Sequence, residues 1–129
     1  MDNNYPWLDE YLLSKPGAVK DFKVEWEWHR YLVGGKMFAA TCLPDEKHKA
    51  PYAGNELLTL KCEPEAGEFF RAQYPNDIAP GFYMDKRCWI SIILSGDAPE
   101  SVVRELCDGS YALVLSKLTK RERSQILGE

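Results

Sequence analysis

The chain contains no Cys-x-x-Cys pair, only two histidines, and no apolar run near the roughly 20 residues that a membrane helix needs. Each absence removes a class of function. Cys42, Cys62, Cys88 and Cys107 are scattered, so neither a zinc ribbon nor a thioredoxin-like redox motif is present, and buried reduced thiols are expected. His29 and His48 stand outside any metal-ligand spacing and read as solvated side chains, so no metal is expected. The segment from Met1 to Glu10 is acidic and polar where a secretory signal would be basic and then apolar, which predicts a cytoplasmic protein with no membrane partner. A phosphate loop needs clustered glycines leading into a helix, whereas Gly34-Gly35-Lys36 leads into a strand. No nucleophile, base and acid set is visible either; no catalytic residue, no cofactor and no enzymatic activity are assigned.

What is present is the composition of an ordinary globular protein: 129 residues, 45% apolar, 28% charged and 12% aromatic. That length suits one domain, residues 1–129, built around one core. The net charge is -4, unevenly spread. Residues 110–129 carry Lys117, Lys120, Arg121 and Arg123 against Glu122 and Glu129. A basic end on an acidic body is a weak footprint for an anionic partner, and fits better the helix-end charges that complement a macrodipole.

Along the chain, Asn4 reads as the cap of a first helix with Trp7, Leu8, Tyr11 and Leu12 in one stripe, ended by Pro16-Gly17. From Phe22 the period changes to two: Phe22, Val24, Trp26 and Trp28 alternate with polar residues as in a strand with one buried face. Gly34-Gly35 is a hairpin signal before a strand from Lys36 to Cys42, and another strand runs from Leu57 to Cys62. The loop between them, with Pro44, Asp45, His48, Pro51 and Gly54, is a candidate wing or lid. Pro64 between Glu63 and Glu65 starts a helix that turns Phe69 and Phe70 to the core. Phe82 to Leu94 carries two strand-like runs, the second of them from Trp89. Asp97 and Glu100 resemble a capping box for a helix ending at Gly109, and Ser110 caps another. The fold class is therefore α+β, an antiparallel sheet of about five strands covered by helices in the order α-β-β-β-α-β-β-α-α.

Lysines recur at strand ends and turns, at Lys36, Lys61 and Lys86. If their faces coincide, a cationic patch suited to phosphate contacts results; the alternative is edge-strand lysines that oppose aggregation.

Five segments resemble one family: Pro16-Gly17, Gly35 to Ala39, Leu60 to Glu65, Met84 to Ile90, and Ser110 to Leu118. In order and spacing they are similar to the MmcQ/YjbR family across nearly the whole chain. The resemblance implies a CyaY-like fold and a DNA-binding protein with a double-wing surface, with Lys36, Lys61, Lys86, Trp89, Ser110, Tyr111 and Lys117 at family-like positions. Cys88 stands where many relatives carry histidine, and no role is carried over for it. Iron binding, as in frataxin, is not carried over, since the first helix offers only Asp2, Asp9 and Glu10.

Two functions follow as expectations. In the first, DNA phosphates meet Lys36, Lys61, Lys86, Arg87, Lys117, Lys120 and Arg121. In the second, a small anionic or aromatic ligand enters a pocket of Trp26, Trp28, Trp89, Ser110 and Tyr111, anchored by a lysine. A concave apolar pocket favours the second, a flat basic face the first.

Overall fold

Gly34 and Gly35 both adopt positive φ, +57° and +77°. This two-residue turn matches the twist of the strands it joins, β2 (Trp28–Val33) and β3 (Lys36–Cys42). The structure, a computed structural model, describes residues 3–129. Around the hairpin stand β1 (Val19–Lys23), β4 (Leu57–Lys61), β5 (Ile78–Pro80) and β6 (Trp89–Ile93). They form one sheet in the order β1-β2-β3-β4-β6-β5, with every neighbouring pair antiparallel. The helices are α1 (Leu8–Leu13), α2 (Pro64–Gln73), α3 (Glu100–Ser116) and α4 (Lys120–Leu127).

The expected α+β class and antiparallel sheet are found, with six strands instead of about five. The difference lies at Phe22 to Trp28. This stretch is a hairpin, with Lys23 paired to Trp28 and Glu27 at φ +58° in the turn. Residues 24–27 form the turn, and the pairing of Lys23 with Trp28 and of Phe22 with His29 puts Phe22 and Trp28 on opposite faces of the sheet. Phe22, Val24 and Trp26 are exposed, and only Trp28 is buried. The run at Phe82 is likewise a turn, with Tyr83 at φ +57°, while the strand pairing with β6 comes earlier, at β5.

Helix boundaries differ for local reasons. Asn4 does not cap α1; its amide donates to the carbonyls of Ser95 and Gly96. The Asp97/Glu100 box does not form, because Pro99 precedes α3 and the Asp97 N–H donates to Asp77. α3 continues through Gly109 and Ser110, and the capping box stands instead at Thr119 and Glu122, at the start of α4. Phe70 packs against the core, whereas Phe69 is exposed.

The two faces of the sheet are covered differently. On one, α1 and α3 place Leu8, Leu12, Val103, Cys107 and Val114 over Phe38, Leu58, Leu60, Ile90 and Ile92. A bulge opposite Tyr31 and Leu32 helps to send both Phe38 and Ala39 into this core. The helical stripe and the strand alternation meet here, which is why this side holds most of the buried apolar surface. The other face bears a smaller cluster of Trp28, Ala40, Cys42, Leu57, Phe82 and Ile93, with Met37, Tyr52 and Met84 against it. Loops, not helices, cover that side. Cys42, Cys62 and Cys107 are buried free thiols, and burial pushes Cys42 and Cys107 up to about 12. Among the described residues no helix is long and apolar enough to cross a membrane.

Candidate functional site

A short polar spine runs through the sheet beneath the loop-covered face. The hydroxyls of Thr59 on β4 and Ser91 on β6 lie directly across the ladder, 2.7 Å apart and buried. Ser91 Oγ also accepts the N–H of Phe82 at 3.0 Å, which fixes where the chain leaves β5. Gly81 is required just before it: a Cβ there would lie 2.6 Å from Cβ of Trp89. Tyr52 donates to the Pro80 carbonyl at 2.7 Å and ties the β3–β4 loop to the same strand.

These restraints leave a cleft of about 530 Å³ between the β1–β2 turn, the start of the β3–β4 loop and residues 82–84. Trp28 is its buried floor. Trp26 stands edge-on to it, centroids 5.3 Å apart and planes at 67°. Phe82 lies across, 6.4 Å from Trp28 and 4.6 Å from Tyr83. The His48 ring meets Phe82 and Tyr83 edge-on at 5.2 and 5.7 Å. Trp26 and Tyr83 are mostly exposed, an unusual state for large aromatic rings without a partner.

The charged side chains that line this space are acidic, although Lys23 pairs with Glu25 at 3.4 Å and His48 stands 3.9 Å from Asp45. Glu25, Glu27 and Asp45 line it, and no lysine or arginine does. A hydrogen bond from its own backbone N–H, and then Lys23, hold the Glu25 carboxyl below the usual carboxylate range. Two cations lie against Trp26: Lys23 Nζ is 5.5 Å and the Arg30 guanidinium 5.9 Å from its ring centroid. Arg30 is held by Asp21 at 2.8 Å. Glu27 and Tyr83, the two non-glycine residues at positive φ among those described, both belong to the cleft wall. Such conformations cost energy and concentrate where a particular side-chain geometry is kept.

Of the five residues expected to share a pocket, only Trp26 and Trp28 do so. Trp89 is half-buried on the same face of the sheet but opposite Lys61, away from the cleft lining. Ser110 and Tyr111 belong to α3, on the other side of the sheet. There Ser110 Oγ donates to the Phe38 carbonyl at 2.6 Å and accepts the Lys61 N–H at 2.8 Å. Tyr111 donates to the Pro16 carbonyl at 2.6 Å and packs edge-on to Phe38. Ser110 also borders a hollow of about 210 Å³ between α2 and α3, with Lys61, Cys62, Phe70 and Leu106. Phe82, Tyr83, Glu25, Glu27 and Asp45 were not anticipated as site residues; the dense aromatic turn Gly81-Phe82-Tyr83 is the signal that could have drawn attention to them.

The predicted cations gather at one end of the sheet without converging on one face. Lys36 opens β3, Lys61 closes the antiparallel β4, and Lys86 and Arg87 precede β6 where Trp89 pairs with Lys61. Lys117, Lys120 and Arg121 are exposed at the α3–α4 junction, whose Leu118 packs on Gly34 of the hairpin. Lys61 shares the loop-covered face with Leu57 and Thr59. Lys36 alternates with Met37 to the helical side, close enough to Glu122 to add to the Thr119 hydrogen bonds that hold that carboxyl down. Lys86 Nζ donates to the Gly81 carbonyl at 2.8 Å, and Arg87 pairs with Asp85 at 3.4 Å. Among the described residues, no group of three His, Cys, Asp or Glu side chains is placed to hold a metal.

Fold and site together define a small α+β domain with a helix-packed core on one face of an antiparallel sheet and an aromatic cleft on the other. The chain belongs to the YjbR family, whose model matches residues 13–113. The uncharacterised Escherichia coli K12 protein YjbR is 28% identical over 120 residues, covering 93% of this chain and 94% of that one. The uncharacterised protein YbdF of Escherichia coli O157:H7 is 30% identical over 100 residues, 78% of this chain and 75% of its own. A crystal structure of a Deinococcus radiodurans protein with the DUF419 domain superposes with TM-score 0.79 at 32% identity, covering 97% of this chain and 88% of that one.

Proposed function

We propose that the protein is a small-ligand-binding domain whose site is the aromatic cleft. The observation that carries this reading is the concave space of about 530 Å³ walled by Trp26, Trp28, Phe82 and Tyr83. Its volume falls within the ordinary range of ligand sites, and its apolar floor with a few polar groups at the rim is the usual make-up of one. The two strained residues in its wall add support. The lysine-anchored anion foreseen from the sequence does not suit a cleft lined by three carboxylates. A thermal-shift screen of aromatic and charged compounds, followed by tryptophan fluorescence titration, tests the reading. Hits whose shift disappears in Trp26→Ala support it, and a flat screen with the fold intact overturns it.

DNA contact is the second reading, favoured by the gathering of Lys36, Lys61, Lys117, Lys120 and Arg121 at one end of the sheet. Against it stand the net charge of -4 and the division of Lys36 and Lys61 between opposite faces. Affinity for DNA follows the number of phosphates neutralised, and a split patch neutralises few. Anisotropy of a labelled duplex across a salt series decides it: binding that weakens with salt and with Lys120→Ala/Arg121→Ala upholds the reading, and no signal at low salt removes it.

A further inference from the structure

The geometry of the cleft also constrains the charge of what it holds. The four rings are not stacked face to face; Trp26 and Trp28 meet at 67° and Phe82 and Tyr83 at 59°, while Phe82 lies at 32° to Trp28 across the cleft, so the rings wall the open space at differing inclinations. Aromatic faces carry negative potential, and a space walled by several rings favours a cation with an apolar skin over an anion or a bare metal ion. Trp26 already receives cations from this chain: Lys23 and Arg30 both come within 6 Å of its centroid. Two tryptophans in the lining matter because indole is the strongest of the aromatic cation acceptors.

The carboxylates reinforce the same sign. Glu25 and Glu27 flank Trp26 in sequence, and Asp45 enters from the β3–β4 loop. They are not gathered as metal ligands, since no trio of acidic, cysteine or histidine side chains among the described residues is placed to hold an ion. Instead they surround an apolar floor, an arrangement that attracts a cation and leaves its desolvation to the rings. Glu27 has no salt bridge among those formed by the described residues, so its charge is not already spent on a neighbour. It is also one of the two residues held at positive φ, a backbone conformation that brings it to the same cleft wall as Trp26.

We infer that the cleft takes a small organic cation, an alkylated ammonium seated among Trp26, Trp28 and Tyr83 with Glu25, Glu27 and Asp45 around it. This rests on the ligand-binding reading above and narrows it to a chemical class.

Three probes of nearly equal size separate the two statements: benzyltrimethylammonium, its neutral carbon isostere neopentylbenzene, and the anion benzenesulfonate. Each is titrated into the intact protein at low ionic strength, with tryptophan fluorescence and the indole N–H resonances as readouts. Saturable binding of the ammonium at least tenfold tighter than of the isostere, with no binding of the sulfonate, is the expected result. Glu27→Gln should weaken the ammonium several-fold and leave the isostere unchanged, while Trp26→Ala should abolish both. Equal affinity for the ammonium and the isostere overturns the inference but leaves the ligand-binding reading standing. Preference for the sulfonate overturns it as well. Failure of all three probes to perturb Trp26 or Trp28, in protein whose circular dichroism is intact, overturns both.

Discussion

The two faces of the sheet are built from the same strands yet are finished differently. On the helical face, side chains from α1 and α3 fill the space above Phe38, Leu60 and Ile90, each of which is fully buried. On the other face the cover is loop, the polar pair Thr59–Ser91 lies within the sheet, and aromatic rings remain exposed at the edge of a cleft. Close packing stabilises the first face and leaves only the hollow of about 210 Å³ between α2 and α3. The second has room because its cover is incomplete. The larger core therefore shares no residue with the cleft, whereas Trp28, Cys42 and Phe82 of the smaller cluster also line it.

The largest expected effect breaks the comparison if it fails. Leu60→Ala on the helical face should cost about 2–5 kcal/mol, the transfer loss plus a cavity. Trp26→Ala, at an exposed position, should stay within about 0.5 kcal/mol while removing ligand binding. Urea unfolding followed by circular dichroism measures both. A Trp26→Ala variant as unstable as Leu60→Ala would mean that the open face is a second core.

An intermediate effect is expected at the spine beneath the cleft. Ser91→Ala strands the buried Thr59 hydroxyl and the Phe82 N–H, and should cost about 1–3 kcal/mol. Adding Thr59→Val removes one of the stranded groups and should recover part of the loss. The cycle of single and double variants in urea reads the coupling directly.

A change of opposite sign is expected at Glu27. Relief of its positive φ by Glu27→Gly should stabilise the fold by about 1 kcal/mol. The same variant should weaken binding of the ammonium probe. Stability gained together with affinity lost would sharpen the contrast between the faces; a loss of stability would show that the Glu27 side chain supports the turn.

The smallest effect is electrostatic and lies on the helical side. Hydrogen bonds from Lys20 and then Tyr31, at 2.7 and 2.6 Å, hold the Asp9 carboxyl below its usual range. Because its folded value is the lower one, the associated stability is present above the unfolded value of about 3.9 and is lost as pH falls through the folded value. Asp9 is half-exposed, so solvent screening keeps the contribution modest. Comparing the urea midpoints of the native chain and Asp9→Asn from about pH 5 downward should show a shallower acid limb for the variant.

Legibility in the sequence followed the range of the forces involved. The Gly34-Gly35 hairpin, the helix start at Pro64 and the strand at Trp89 were readable because each is dictated by residues within a few positions. The hairpin hidden between Phe22 and Trp28 was not, since Val24 and Trp26 in the turn itself carry on the apolar alternation while the pairing of Lys23 with Trp28 reverses which face it points to. Gly109 was misread as a stop because helix propensity is a weak preference, which the packing of Leu106, Cys107 and Tyr111 on the sheet outweighs.

By itself, then, the sequence determined an α+β domain with an antiparallel sheet and the apolar stripes that bury one face of it, because those patterns repeat at the local periods of helix and strand. Only the tertiary structure decided which aromatic residues share a cleft. That site joins residues 25–28, 42–45, His48 and 82–84, brought together by the β4–β6 ladder and the hydrogen bond from Phe82 to Ser91. It also decided that Lys36 and Lys61 share an end but not a face, since a side chain's direction depends on register and on the bulge at Phe38, which no count along the chain reveals.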